Sequence, residues 1–167
     1  MTATERYIYT LTCLKNGELG ILRSHAGLAL DESVAGFDLF AGLWWPLRQR
    51  NERAPRRKVA WLIAKLYAFC PIEHSAGETL ISQLSKCRPN EERARERFRQ
   101  QFDGILNLPL SKIENLLRWV LDQVSSKNLK IDWVKLTNDL SIWERKSTRL
   151  KWAMEFLKTY KEDSHAN

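Results

Sequence analysis

The sequence predicts an all-α protein, a compact assembly of about eight to nine helices in two small helical parts. Three observations predict it. Apolar residues recur at i, i+3 and i+4 along nearly the whole chain, whereas the strict apolar/polar alternation of a half-buried strand is hard to find over five or more residues. Pro46, Pro55, Pro71 and Pro89 each fall at the edge of such a periodic stretch, where a residue without an N–H is tolerated. The chain is 44% hydrophobic, with seven Trp, six Phe and four Tyr, enough to fill a packed core.

A first helix is expected over residues 4–15, broken by Asn16-Gly17. A short second helix over 18–25 places Leu19, Leu22 and Ala26 on one side, and Gly27 stops it. Ser33 can cap a third helix that reaches Leu43 or Trp45 and ends at Pro46. Residues 49–54 read as a polar loop. Pro55 then sits in the first turn of a strong helix over 56–69, with Val59, Leu62, Ile63, Leu66, Phe69 and Cys70 on its apolar face. Pro71 terminates it. A loop over 72–77 leads into a short helix over 78–86, and Pro89-Asn90 starts another over 91–102. Ser111-Lys112-Ile113-Glu114 has capping-box spacing and opens a helix to about Ser126. After a connector at 127–130, Asp132 caps a helix over 133–143, and Ser147 can cap a last one to Tyr160. The expected division is an N-terminal part, 1–88, a C-terminal part, 89–161, and a frayed tail, 162–167; Leu108-Pro109 is the other place to divide the chain.

Composition excludes several classes. With 167 residues, one domain or two small ones are expected. The aromatic content excludes a disordered basic tail, and no stretch approaches the ~20 apolar residues of a membrane span. Glu5 and Arg6 are out of place in a secretory signal. Cys13, Cys70 and Cys87 are too few and too scattered for a disulfide framework, which points to a reducing, cytoplasmic setting. His25, His74 and His165 make no metal-ligand spacing with them.

The charge is informative. The 27 Lys and Arg exceed the 20 Asp and Glu, for a net charge of +7. Arg48, Arg50, Arg53, Arg56, Arg57, Lys58 and Lys65 stand against Glu52 alone, nearly the whole excess. On a helix Arg57, Lys58, Trp61 and Lys65 share one side, a basic stripe that could neutralise phosphates with Trp61 to stack. The competing reading is a solvated face beside a half-buried Trp. A second cluster, Lys86, Arg88, Arg93, Arg95, Arg97 and Arg99, is diluted by Glu91, Glu92 and Glu96, and Glu91–Arg95 has the spacing of a surface pair. A third comprises Arg145, Lys146, Arg149 and Lys151, with Arg145, Arg149, Trp152 and Phe156 along one helix side. Trp133, Trp143 and Trp152 are expected in the core.

No Walker loop, dinucleotide fingerprint, nucleophile elbow or zincin motif occurs. Asp132, Asp139 and Glu144 are the nearest approach to a carboxylate constellation, and Asp132 is better explained as a cap. No catalytic residue, metal or cofactor is therefore expected.

Several segments, in order, resemble a known family. Gly17-Glu18-Leu19-Gly20-Ile21-Leu22-Arg23 resembles a Gly-x-x-Ala-x-Leu-Arg opening. Gly77-Glu78-Thr79-Leu80 resembles a Gly-x-x-Leu segment, and Arg97-Phe98 an Arg-Arg-Phe helix, followed by Leu116-Leu117-Arg118-Trp119-Val120. Most distinctive is Ile131-Asp132-Trp133 with Leu136, Asp139-Leu140 and Trp143, then Trp152-Ala153 and Phe156. Together, over roughly residues 17–157, they resemble the CasB family, the small subunit of the type I-E CRISPR effector complex Cascade. Glu96 departs from the family's Arg pair, and the loop at 49–57 is unusually basic. The resemblance implies an all-helical, non-catalytic subunit that steadies the hybrid of crRNA and target DNA and the displaced strand of the R-loop. It implies contacts with the backbone subunits, the large subunit and a second copy placed head to tail. By matching positions it implies Arg23, Arg97, Arg118, Arg145, Lys146 and Arg149 as backbone contacts; Arg23 and Arg118 could equally hold ion pairs. Arg56, Arg57, Lys58 and Lys65 come from the charge argument, the first three with a loose family correspondence. The alternative reading is a stand-alone helical DNA-binding regulator, and a third is an enzyme acting on nucleic acid.

Overall fold

The structure is a computed structural model. It describes the backbone of residues 1–32 and 34–165, and the side chains among them except those of Asp31 and residues 159–165. Among the described residues there are nine α-helices and no strand: α1 (Ala3–Thr12), α2 (Asn16–Arg23), α3 (Val34–Arg50), α4 (Arg57–Phe69), α5 (Leu80–Ser85), α6 (Glu92–Leu106), α7 (Glu114–Ser126), α8 (Trp133–Ser141) and α9 (Lys146–His165). An isolated bridge pairs His74 with Ile131. The all-α expectation and the helix number both hold.

The helices form two compact units. One takes Met1–Pro71 and Trp133–Ser141, the other Ile72–Asp132 and Ile142–Asn167. The chain thus leaves the first unit after α4, returns to lay α8 on it, and leaves again. Pro89 falls within the second unit.

In the first unit α4 is the central element. Every residue from Val59 to Ala68 is buried, because α2, α3 and α8 all pack on it. α1 packs on α3 and α8 and reaches α4 through one bond: the Tyr7 hydroxyl donates to the Ala60 carbonyl at 2.5 Å. Burial pushes the Tyr7 hydroxyl well above its ordinary titration range. Its contribution to stability is therefore complete below pH ~10 and lost as pH rises through the raised folded-state value. Tyr7→Phe should cost about 1 kcal/mol at neutral pH and remove this alkaline component, measured as urea midpoints at pH 7 and above pH 10. An unchanged alkaline decline in Tyr7→Phe would assign it to other groups.

In the second unit α5 and α6 each pack on both α7 and α9. The core is aromatic. Phe102 stacks on Phe156 with centroids 4.1 Å apart, Phe98 meets Trp119 edge-on at 5.2 Å, and Trp143 meets Trp152 at 4.8 Å. The Trp143 indole N–H donates to the Leu108 carbonyl at 2.9 Å, as a buried indole requires. Trp133, Trp143 and Trp152 are all buried, as expected.

Several local expectations differ from the structure, each for a physical reason. α2 begins at Asn16 rather than Glu18, because the Glu18 carboxylate accepts from the Lys15 N–H and draws Asn16-Gly17 into the first turn. α3 runs through Pro46 to Arg50. The lost proline donor is offset by side chains that fasten the helix end to the following loop: Trp44 Nε1 donates to Pro55 O, and Arg48 donates to the carbonyls of Glu52 and Ala54. At Ser111 a 3-10 turn, Leu110–Lys112, replaces the expected cap, and α7 starts at Glu114 after Ile113, which gives no side-chain cap. Glu91 does not pair with Arg95. Its carboxylate caps α6 by accepting from the N–H groups of Arg93 and Ala94, while Arg95 donates to the carbonyls of Pro89 and Asn90. α9 continues to His165, beyond the expected end at Tyr160. The expected Ser33 cap and the last residues of the expected tail, Ala166 and Asn167, lie outside the described residues.

Candidate nucleic-acid interface

The basic stripe on α4 divides between its first turn and its middle. Lys65 is only 6% exposed and Trp61 is also buried. Gly27, with φ of 77°, turns the chain after α2, and the segment beyond it covers both side chains. The Leu28 carbonyl accepts from Lys65 Nζ at 2.9 Å and from Trp61 Nε1 at 3.1 Å, and Nζ lies 5.3 Å from the Trp61 ring. His25, with Nδ1 donating to Ile21 O at 2.6 Å, meets the same ring edge-on. It lies so close to α3 that a Cβ on Gly36 would come within 2.7 Å of His25 Nε2. Lys65 and Trp61 are thus interior residues, and the expected stripe does not extend to them. A helical wheel shows which side a residue occupies; it does not show what the chain before that helix lays over it.

The first turn of α4 stays open. Arg56 is its N-cap without a side-chain cap bond, and Arg57 and Lys58 follow, all exposed, with no acidic residue in the turn. Arg56 already makes an interaction within the fold. The unpaired amides of a helix start carry partial positive charge, so backbone and side chains here share one sign. Arg50 and Arg53 are exposed just before, whereas Arg48 is committed to the loop carbonyls. Arg23 is exposed at the end of α2, with Nε donating to Leu19 O at 3.3 Å. The structure places all these residues in the first unit.

The remaining expected contacts belong to the second unit. Arg97 is exposed on α6, on the same side as Arg93, while Arg99 pairs with Asp103 at 3.9 Å. Arg118 is half-buried on α7 and already engaged within the fold. Arg145 and Lys146 are exposed before and at the start of α9. Arg149 is half-buried and donates to the Glu144 carbonyl at 3.2 Å, holding the turn that presents Arg145 and Lys146. Arg88 lies over the Phe156 ring at 6.0 Å, with Nε donating to Ser85 O.

The carboxylates nearest to a catalytic constellation are engaged elsewhere. Asp132 accepts from the Gly77 N–H, and Asp139 pairs with Lys135 at 2.8 Å. Among the described residues no group of His, Cys, Asp and Glu is gathered as a metal site. The three cysteines are free thiols. Cys87 is buried against the carbonyls of Gln83 and Gln123, and burial pushes its thiol up, away from the reactive thiolate. The arrangement therefore offers dispersed cations on helix starts and faces, suited to phosphate.

The family model for CRISPR-associated protein Cse2 matches residues 18–157. The chain belongs to that family. Membership makes it a CRISPR-associated protein and a subunit of the Cascade assembly. Solved structures agree in fold. The chain is similar to CasB from M. ruber, at 20% identity over 99% of this chain and 98% of that one, with a TM-score of 0.75. It is similar to CasB from Thermus thermophilus, at 20% identity over 95% and 99%, and to CasB from Thermobifida fusca, at 18% identity over 92% and 94%; both have a TM-score of 0.68. A search of curated proteins finds no match. No helix among the described residues is long and apolar enough to cross a membrane.

Sequence reasoning missed one feature beside the basic turn. Trp45 is 50% exposed and Phe37 46% exposed on α3, next to Arg57. The signal was present: α3 carries Phe37, Leu39, Phe40, Leu43, Trp44, Trp45 and Leu47, more apolar residues than one buried face can absorb.

Proposed function

We propose that this protein is the non-catalytic small subunit of a type I-E Cascade in the cytoplasm, where it holds nucleic-acid backbone. Its ligands are the crRNA–target DNA hybrid and the displaced strand of the R-loop. Its protein partners are the backbone and large subunits and a second copy head to tail. The observation that carries the reading is the open first turn of α4, where Arg56, Arg57 and Lys58 surround a helix start free of acids. Arg23 in the first unit, and Arg97, Arg145 and Lys146 in the second, extend the set; Arg149 holds the turn that presents Arg145 and Lys146, and Arg118 is a half-buried member of the set on α7. In guided systems base pairing carries sequence recognition, and the protein meets backbone and shape. Dispersed cations without a base-reading helix suit that division of labour.

The test is salt dependence. Arg57→Ala with Lys58→Ala should lower strand affinity and flatten the log–log slope against salt by ~0.7–0.9 for each phosphate no longer neutralised. An unchanged slope would remove α4 from the interface. A stand-alone regulator would instead prefer one duplex by ~10³-fold or more, and strand cleavage by pure protein with divalent metal would mark an enzyme.

A further inference from the structure

We infer that the pocket between α3 and the start of α4 takes an unpaired nucleobase, stacked on Trp45, while Arg57 meets the phosphate beside it. The inference rests on the backbone-binding reading above and adds to it a contact with the base. The pocket has a volume of about 360 Å³ and is walled by Phe37, Phe40, Trp44, Trp45 and Arg57, among others. Its floor is rigid. Phe40 is buried and stacks on Trp44 at 5.6 Å and 10°, and Trp44 is fixed by its bond to the Pro55 carbonyl at 2.6 Å. Trp45 stands beside Trp44 with centroids 5.8 Å apart and keeps half its surface open.

Charge decides the occupant. Arg57 enters the wall through its aliphatic stem, and its exposed head, with Lys58 beside it, carries positive charge that an apolar side chain from a protein partner would leave without a counter-charge. A nucleotide supplies a flat apolar face for the aromatic wall and an anion for Arg57, with Lys58 next to it in the same open turn. The walls present only apolar surface, the stem of Arg57 included, and the indole N–H of Trp44 is already used. Nothing in them reads a base edge, so stacking would be tolerant of sequence, as a strand of arbitrary sequence demands. A base locked in a duplex cannot enter, so the ligand is single-stranded. Trp61, the aromatic that the helical wheel puts forward for stacking, is buried, whereas Trp45 is half-exposed.

The experiment compares oligothymidylate with an abasic strand of equal phosphate number, by fluorescence anisotropy at fixed salt. Wild type should bind the thymidylate roughly 5- to 100-fold more tightly than the abasic strand. Trp45→Ala should abolish that difference and leave abasic binding unchanged, and Trp45→Phe should restore part of it. The same ratio in Trp45→Ala as in wild type would overturn the inference, whether or not the variant also loses a co-purifying protein subunit; loss of such a subunit with the ratio intact would assign the pocket to a protein side chain. Equal weakening for both strands would overturn it as well. Salt-dependent binding of both strands without a base effect would leave the backbone reading standing, whereas binding of neither strand would overturn both.

Discussion

Alanine at Trp133 is expected to lower the stability of the first unit by about 3–5 kcal/mol, the largest loss from a single substitution in that unit. Trp133 has no exposed surface, and its ring meets Tyr67 edge-on with centroids 5.4 Å apart and planes 68° apart. It opens α8, whose Leu136 and Leu140 are also buried and which reaches this unit only after an excursion of the chain through Ile72–Asp132. Packing on α1 and α4 holds the segment in this unit. The loss is comparable with the net stability of a small domain, roughly 5–15 kcal/mol. Urea unfolding, followed by circular dichroism, should show an early transition in Trp133→Ala that wild type lacks. A midpoint within error of wild type would mean that α8 is not a structural member of that unit.

The parts of this fold that could be read in the sequence are those governed by local chemistry. Helix type follows from i, i+3/i+4 spacing because one face of each helix must be buried, and nine helices result among the described residues. Boundaries failed where a side chain outside the motif changed the local balance. Pro46 looks like a terminator, but Trp44 and Arg48 fasten the helix beyond it to the carbonyls of Glu52, Ala54 and Pro55. Ser111 has the spacing of a cap, but a 3-10 turn takes its place. The site shows the same division. Net charge and its concentration near α4 are properties of composition and survive folding. Which cation stays in water depends on what covers it, and Leu28, far from Lys65 in sequence, settles that through a single carbonyl. Trp61, expected on the open side of its helix, is buried for the same reason.

The contrast between Lys65 and its neighbours on α4 yields the sharpest separation of stability from binding. Lys65→Ala removes a charge-assisted bond to Leu28 O, a cation–π contact with Trp61 and a buried aliphatic stem. A hydrogen bond to a charged group contributes about 1.5–3 kcal/mol, so the variant should lose ~2–3 kcal/mol. Its salt slope for strand binding should match wild type, because a buried ammonium releases no counterion when a phosphate arrives. Arg57→Ala with Lys58→Ala should do the reverse: exposed side chains cost little when removed, and the slope should fall. A Lys65→Ala slope as flat as that of the double variant would place the ammonium at the phosphates and restore the full stripe on α4. The two patterns rule each other out, and four proteins, wild type, Lys65→Ala, the double variant and the triple, suffice to choose. If the sites are independent, the triple variant should combine the stability of Lys65→Ala with the slope of the double variant. Departure from additivity in stability alone would show that the open turn and the buried lysine are coupled through α4, whose first turn and core are one continuous helix.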